Sequence, residues 1–122
     1  MSDKPRFANK TKQAEVPNVK TLNIKINSLA RTIKDLQYAK KEVETESKRL
    51  ETFKTENQDR VSQQENVLKE AEMMVPHSEN RIRSGIKDLS DYLEKERANI
   101  ADEELIENEE KTLKNAEEAL NV

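Results

Sequence analysis

Apolar residues recur along this chain in steps of three, four and seven, the spacing that places them on one side of an α-helix. Three such stripes follow one another. The first comprises Leu22, Ile26, Leu29, Ile33, Leu36, Val43 and Leu50. The second comprises Val61, Leu68, Ala71, Val75, Ile82, Ile86, Leu89 and Leu93, and the third comprises Leu105, Ile106, Leu113, Ala116 and Leu120. The pattern predicts three amphipathic helices, over about residues 19–54, 57–98 and 103–120.

Polar residues that cap helices lie near the ends of these segments. Asn18 follows Pro17 and is a good N-cap for the first helix, and Asp102 can cap the third. Thr55 and Gln58 resemble a capping box for the second helix. No glycine or proline marks this first link, so a continuous helix, which would force an intermolecular coiled coil, stays open as an alternative.

The second stripe continues through Pro76 without losing its phase. A proline inside a helix removes one backbone hydrogen bond and clashes with the preceding turn, at a cost of about 3 kcal/mol or more. We therefore predict one long, proline-kinked helix. The alternative is that Pro76 begins a fresh helix, where its missing N–H costs nothing.

Long helices of this kind are not stable alone, so each stripe must be buried against a neighbouring helix. The predicted fold is all-α: an elongated antiparallel three-helix bundle, or spectrin-like rod, over residues 18–122. The third helix is only half as long as the others. One end of the rod is therefore predicted to be a helix pair, with Lys40, Ser47 and Gln64 on its seam. Residues 1–17 are mildly basic and are predicted to form a flexible tail.

Composition agrees with long helices and excludes several other classes. Only 33% of the residues are hydrophobic and 39% are charged, which suits narrow apolar stripes better than an isotropic core. The net charge of −3 does not favour nucleic acid or an anionic membrane as a partner. There is no cysteine, and no apolar run is long enough to span a bilayer. We expect a soluble intracellular protein.

The sequence contains no recognisable catalytic constellation. His77 is the only histidine, so no histidine-based metal cluster or acid–base pair can form. Gly85 is alone in a helical stretch and is not part of a phosphate-binding loop; we expect it to permit close helix packing. The sequence therefore predicts no enzyme, no cofactor, no metal site and no small-molecule substrate.

Two groups of residues near Pro76 are candidates for contact with a partner. Met73 and Met74 precede the proline, and an adaptable apolar contact is one interpretation; core filling is the other. Adjacent helical positions diverge by about 100°, so we expect one methionine in the core and one partly exposed. His77, Arg81 and Arg83 form a small basic cluster just after the proline, for which a solvated face is the alternative interpretation.

The residues around Pro76 resemble the second helix of the tubulin-binding cofactor A family. That family typically has a glutamine, an aliphatic–leucine pair, paired methionines and an aliphatic–proline pair in this order. The matching residues here are Gln64, Leu68, Met73, Met74 and Pro76. Weaker matches include Arg81-Ile82, Asp88-Leu89 and Leu93-Glu94-Lys95-Glu96 downstream, and Ile24, Ile26, Leu29, Ile33, Lys34 and Tyr38 in the first helix.

The resemblance implies a function for the whole rod. It implies a cytoplasmic protein of the microtubule cytoskeleton that binds β-tubulin after its release from the cytosolic chaperonin. The protein would hold β-tubulin for assembly of the α/β-tubulin heterodimer, without nucleotide, metal or catalysis. Our hypothesis places the contact on Met73, Met74, Pro76, His77, Arg81 and Arg83. A monomer is favoured over a homodimer.

Two other classes remain as alternatives from the sequence. A dimeric coiled-coil scaffold or tether would need the first link between helices to be absent, so that the helices pair between chains. A prefoldin-like chaperone subunit would need strand hairpins between its helices, and no alternating strand pattern is present.

Overall fold

The structure, a computed structural model, describes residues 17–121, which form three α-helices and no strand. The helices are α1 (Pro17–Glu56), α2 (Val61–Glu96) and α3 (Glu103–Leu120), and short 3-10 turns at Gln58–Arg60 and Arg97–Asn99 lie between them. The predicted all-α class is confirmed. Residues 1–16, which make up nearly all of the predicted tail, lie outside the described residues.

The first helix is described from Pro17, two residues before the start at residue 19 that the cap prediction requires. Asn18 is therefore inside α1, and its cap role is wrong. Its side-chain nitrogen instead donates to the Asn99 carbonyl at 3.0 Å, and its own carbonyl accepts from the Tyr92 hydroxyl at 3.3 Å. These bonds tie the start of α1 to the end of α2.

The chain reverses direction between Glu56 and Val61. The predicted capping box is not formed, because Thr55 is still in α1 and its hydroxyl donates to the Thr52 carbonyl at 3.0 Å. The reversal is closed by the Arg60 N–H, which donates to the Asn57 carbonyl at 3.1 Å. The continuous-helix alternative is wrong, since α1 and α2 form an antiparallel pair within one chain.

A buried polar pair holds the two long helices together at the end near this turn. The Gln64 side-chain nitrogen donates to the Glu46 carbonyl at 3.0 Å and to its carboxylate at 2.7 Å. The guanidinium of Arg49 donates to the same carboxylate at 3.1 Å. Glu46 and Gln64 are 7% and 5% exposed. A buried polar pair specifies one register, because any slip would leave both groups without partners.

The apolar core lies at the opposite end, where all three helices meet. Its buried members are Leu22, Ile26, Leu29, Leu36, Ile82, Leu89, Leu93, Ile100 and Ala116. The helices approach so closely at Gly85 that an added Cβ atom would lie 2.9 Å from Cδ1 of Leu29. The expectation that Gly85 permits close packing is confirmed.

The second helix is continuous through Pro76. The alternative, a fresh helix beginning at this residue, is wrong. The same face of α2 is buried on both sides of the proline, since Ala71 is buried before it and Ser78 and Ile82 are buried after it. Small side chains at two of these three positions let α1 and α2 lie close together here.

The third helix begins as predicted and contains two buried residues that were not predicted, Glu109 and Thr112. The Leu105 N–H donates to the Asp102 carboxylate at 3.0 Å, and Glu103 and Glu104 occupy the first turn. Two turns later Glu109 is 0% exposed, and neither of its carboxylate oxygens has a hydrogen-bond partner among the described residues. Burial raises the pKa of this carboxyl, and the charge of Glu110 raises it further.

Candidate partner-binding surface

The six residues predicted to contact a partner are all exposed on α2. Met73 is 65% exposed and Met74 is 51% exposed, so the expectation that one of them enters the core is wrong. The physical reason is that Ala71 and Ser78, which are 9% and 4% exposed, already fill the core positions on these turns. Both methionines therefore remain available for contact.

Helical geometry divides these six residues into two stripes. Met74, His77 and Arg81 follow one another in steps of three and four and lie beside α1. Met73, Pro76 and Arg83 follow in steps of three and seven and lie on the outer side of α2. The structure thus brings half of the predicted residues into contact with the surface of α1 and turns the other half away from it.

The first stripe lines two hollows between α1 and α2. One has a volume of about 550 Å³ and contains Ile24 on α1 and His77 and Arg81 on α2. The other has a volume of about 360 Å³ and contains Tyr38 on α1 and Met74 and Arg81 on α2. Arg81 lines both, so the hollows form one continuous surface, which we call the α1–α2 groove.

The groove lies on the side of the α1–α2 pair that α3 does not cover. The residues of α1 that face α3 include Ala30, Ile33 and Gln37, and none of these lines the groove. No residue of α3 lines either hollow. The rod therefore has one closed side and one open side.

Charges along the groove differ in how well they are compensated. Lys25 and Asp88 form an ion pair at 2.8 Å across one end, and the Lys25 ammonium also lies 5.3 Å from the centre of the Tyr92 ring. Arg81 is exposed and joins no ion pair among the described residues. Arg83, on the outer stripe, donates to the Asn80 side chain at 2.9 Å.

Two residues of this surface were missed as contact candidates by reasoning from the sequence. Ile24 is 59% exposed and Tyr38 is 63% exposed, and both lie on α1. The available signal was their position, since both are large apolar residues that fall outside the first helical stripe. Large apolar residues that a helix does not bury are candidates for burial by something else.

The described part of the chain offers little for other chemistry. Residues 17–121 contain no group of three or more histidines, cysteines, aspartates or glutamates placed to hold a metal ion. In the same range, no helix is both long enough and apolar enough to cross a membrane. The α1–α2 groove is thus the feature that most needs a functional explanation.

Comparison with known proteins identifies the family. A family model described as "Tubulin binding cofactor A" matches residues 17–120. The chain belongs to the tubulin-binding cofactor A family. The match spans all three helices and includes the two turns between them, so the whole described rod is the family's domain.

Curated relatives carry the corresponding names. "Tubulin-folding cofactor A" of Arabidopsis thaliana is 36% identical over 77 residues, which is 62% of this chain and 68% of the relative. "Tubulin-specific chaperone A" of Mus musculus is 28% identical over 83 residues, which is 66% of this chain and 77% of the relative. This chain is therefore a member of a family of tubulin-folding cofactors and chaperones.

Solved structures of the family have the same fold. The crystal structure of recombinant tubulin-binding cofactor A from Leishmania major has a TM-score of 0.83 and 53% identity, over 87% of this chain and 99% of that one. The structure of tubulin folding cofactor A from Arabidopsis thaliana has a TM-score of 0.75 and 30% identity, over 85% and 99%. The predicted three-helix bundle and the predicted family are both confirmed.

Proposed function

We propose that this protein binds β-tubulin after its release from the cytosolic chaperonin and holds it for assembly of the α/β-tubulin heterodimer. The observation that carries the proposal is the family match over residues 17–120. The names of the relatives refer to tubulin without distinguishing its two chains. The choice of β-tubulin rests on the resemblance of the residues around Pro76 to the family's second helix.

The shape of the molecule supports a holding role. Both long stripes are covered within one chain, so the rod can be stable before it meets a client. Its open side presents the α1–α2 groove, where Ile24, Tyr38 and Met74 remain exposed. A surface of this kind can bind a large globular partner while the free protein exposes few large apolar residues.

The proposal includes the way in which the protein acts. It acts by binding alone, as a cytoplasmic monomer that forms a one-to-one complex, with no nucleic acid, membrane, cofactor or small-molecule substrate. The intrachain α1–α2 pair supports a monomer, because neither long helix needs a second copy to bury its stripe. It also removes the basis of the dimeric scaffold alternative, which required the turn at Gln58–Arg60 to be absent.

The direct test is capture of β-tubulin freshly released from the chaperonin, with α-tubulin as the matched control. We expect selective capture of β-tubulin in a complex whose mass, measured by sedimentation, corresponds to one copy of each chain. Equal capture of α-tubulin would overturn the proposed selectivity. Capture of neither tubulin by a folded, helical protein would overturn the proposed function.

A further inference from the structure

We propose that the α1–α2 groove is the docking site for an amphipathic helix of the tubulin client, with Arg81 paired to a carboxylate on that helix. This inference rests on the proposed function and adds to it which surface is used and what binds there. The observation behind it is a concentration of exposed apolar groups. Four large apolar side chains are exposed among the described residues, and Ile24, Tyr38 and Met74 of these four line the same groove.

The dimensions and floor of the groove suit a helix. Ile24 and Tyr38 lie at its two ends on α1, about 21 Å apart at 1.5 Å per residue, which is about four helical turns. The lining between them includes five small residues, Ser28 and Thr32 on α1 and Ser78, Ser84 and Gly85 on α2, beside the larger Leu29, Asp35, His77, Asn80 and Arg81. Small residues let a backbone approach closely, and the large apolar side chains at the ends can hold the apolar face of a docked helix.

The architecture leaves room for this helix. α3 packs on one side of the α1–α2 pair, and the equivalent position on the other side is empty of described residues. A helix in the groove would give a four-helix arrangement, in which side chains of each helix pack against its neighbours. Its contacts would recur at steps of three and four, matching Met74, His77 and Arg81 on α2.

The charges of the groove specify the chemistry of the docked helix. At the Ile24 end, Lys25 and Asp88 already neutralise each other at 2.8 Å. The next charged side chain along the groove is Arg81, which lines both hollows and has no ion-pair partner among residues 17–121. It therefore favours a carboxylate near the middle of the docked helix, since guanidinium and carboxylate form strong paired hydrogen bonds.

Acidic side chains lie in the same hollow as Arg81, toward the α1–α2 turn. Asp35 and Glu42 line the hollow that contains Tyr38, and neither joins an ion pair among the described residues. Glu42, next to the Tyr38 end, favours a basic residue on the docked helix on the α1–α2 turn side of its carboxylate. The occupant is thus an amphipathic client helix with an apolar face, a central acid and a base toward the α1–α2 turn.

Adjacent residues on α2 provide matched variants for the test. Arg81→Glu and Arg83→Glu change the net charge equally, but only the first lies in the groove. Met74→Ala removes a methionine side chain from the groove, and Met73→Ala removes one from the outer stripe. We expect Arg81→Glu to weaken binding of β-tubulin at least about tenfold and Met74→Ala about threefold to tenfold. Arg83→Glu and Met73→Ala test the wider six-residue hypothesis, and we expect each to stay within about twofold of wild type, because the docking site is confined to the groove.

Equal losses for Arg81→Glu and Arg83→Glu, with wild-type binding intact, would overturn the docking site and leave the proposed function standing. Failure of the wild-type protein to bind would instead overturn the proposed function. The helical content of each variant, measured by circular dichroism, distinguishes lost contacts from lost fold.

A photo-crosslinking amino acid at position 38 of the full chain identifies the occupant. We expect the crosslinked peptide to come from the client, to be amphipathic, and to contain an acidic residue whose change to lysine restores binding to Arg81→Glu. A crosslink to residues 1–16 of the same chain, or to a second copy, in the presence of bound client would overturn the proposal. A client peptide without that acid would overturn it as well.

Discussion

Replacing Glu109 by leucine should stabilise this protein at neutral pH. Its side chain is 0% exposed and both carboxylate oxygens lack partners among the described residues. A buried polar group without a hydrogen bond costs about 1–3 kcal/mol. Leucine is of similar size and adds no polar atom, so we expect the free energy of unfolding to rise by about 1–3 kcal/mol. Urea unfolding followed by circular dichroism measures this change.

The pH dependence provides a second and more specific readout. Burial raises the pKa of Glu109 above that of an exposed glutamate, so the folded state keeps this proton more tightly than the unfolded state does. The wild-type protein therefore loses stability as the pH rises from about the pKa of Glu109 in the unfolded chain to its raised pKa in the folded protein. Above that window the loss is complete. The advantage of the leucine variant should be large at pH 7 and small below the unfolded pKa.

The matched control is Glu117→Leu, at an exposed position about two turns further along the same helix. Its effect on the free energy of unfolding should stay within about 0.5 kcal/mol. A Glu109→Leu variant that is neutral or destabilising at pH 7 would show that the buried carboxylate costs the folded state nothing. A gain that does not depend on pH would show that the carboxyl has the same pKa in the folded and unfolded states, as expected of a well-solvated group.

Three further substitutions test the packing of α2. Gly85→Ala places a methyl group 2.9 Å from Cδ1 of Leu29. Overpacking costs about 1–3 kcal/mol, whereas alanine gains about 1 kcal/mol in helix propensity. We therefore expect a net loss of stability, seen as a lower unfolding midpoint in urea. Pro76→Ala restores a backbone hydrogen bond inside α2 and should raise the melting temperature, with a gain of up to about 3 kcal/mol. Gln64→Ala removes a hydrogen bond from the buried Glu46 carboxylate and should cost about 1–3 kcal/mol in the free energy of unfolding.

Two of these substitutions have a control nearby in α2. Ser84→Ala tests helix propensity without a clash, and an effect equal to that of Gly85→Ala would show that Leu29 moves aside freely. Gln63→Ala removes an exposed glutamine, and a cost equal to that of Gln64→Ala would mean that the buried pair adds nothing. An unchanged melting temperature for Pro76→Ala would mean that the restored backbone hydrogen bond adds no net stability.

Apolar periodicity was sufficient to predict the long helices and their pairing. The phase of the second stripe across Pro76 indicated one helix, because a break would have reset the positions of Val75 and Ile82. The prediction for Asp102 also held, since an aspartate before two glutamates satisfies the free N–H groups of a helix start.

The errors have local physical causes. Asn18 and Thr55 are both good capping residues, but capping depends on where the helix ends, and α1 extends past both positions. Glu46 and Glu109 were not predicted to be buried, because a hydrophobicity pattern assigns no glutamate to a seam. Their burial depends on neighbours brought close by tertiary packing, such as Gln64 for Glu46.

The candidate site was only partly predictable for a related reason. Reasoning along α2 found Met74, His77 and Arg81 but could not separate them from Met73 and Arg83. That separation requires the position of α1, which supplies Ile24 and Tyr38. A surface formed by two helices is defined by their register, and a single stripe does not contain that information.

The unequal ends of the rod give the molecule an adjustable length. The core and α3 lie at one end, whereas the end near the turn at Gln58–Arg60 consists of two helices only. Adding seven residues to each helix beyond the Glu46–Gln64 pair would preserve every side-chain phase and extend the rod by about 10 Å. Such an insertion would leave the core untouched. Reach and stability are therefore separate properties of this fold, and engineering or evolution can change one without the other.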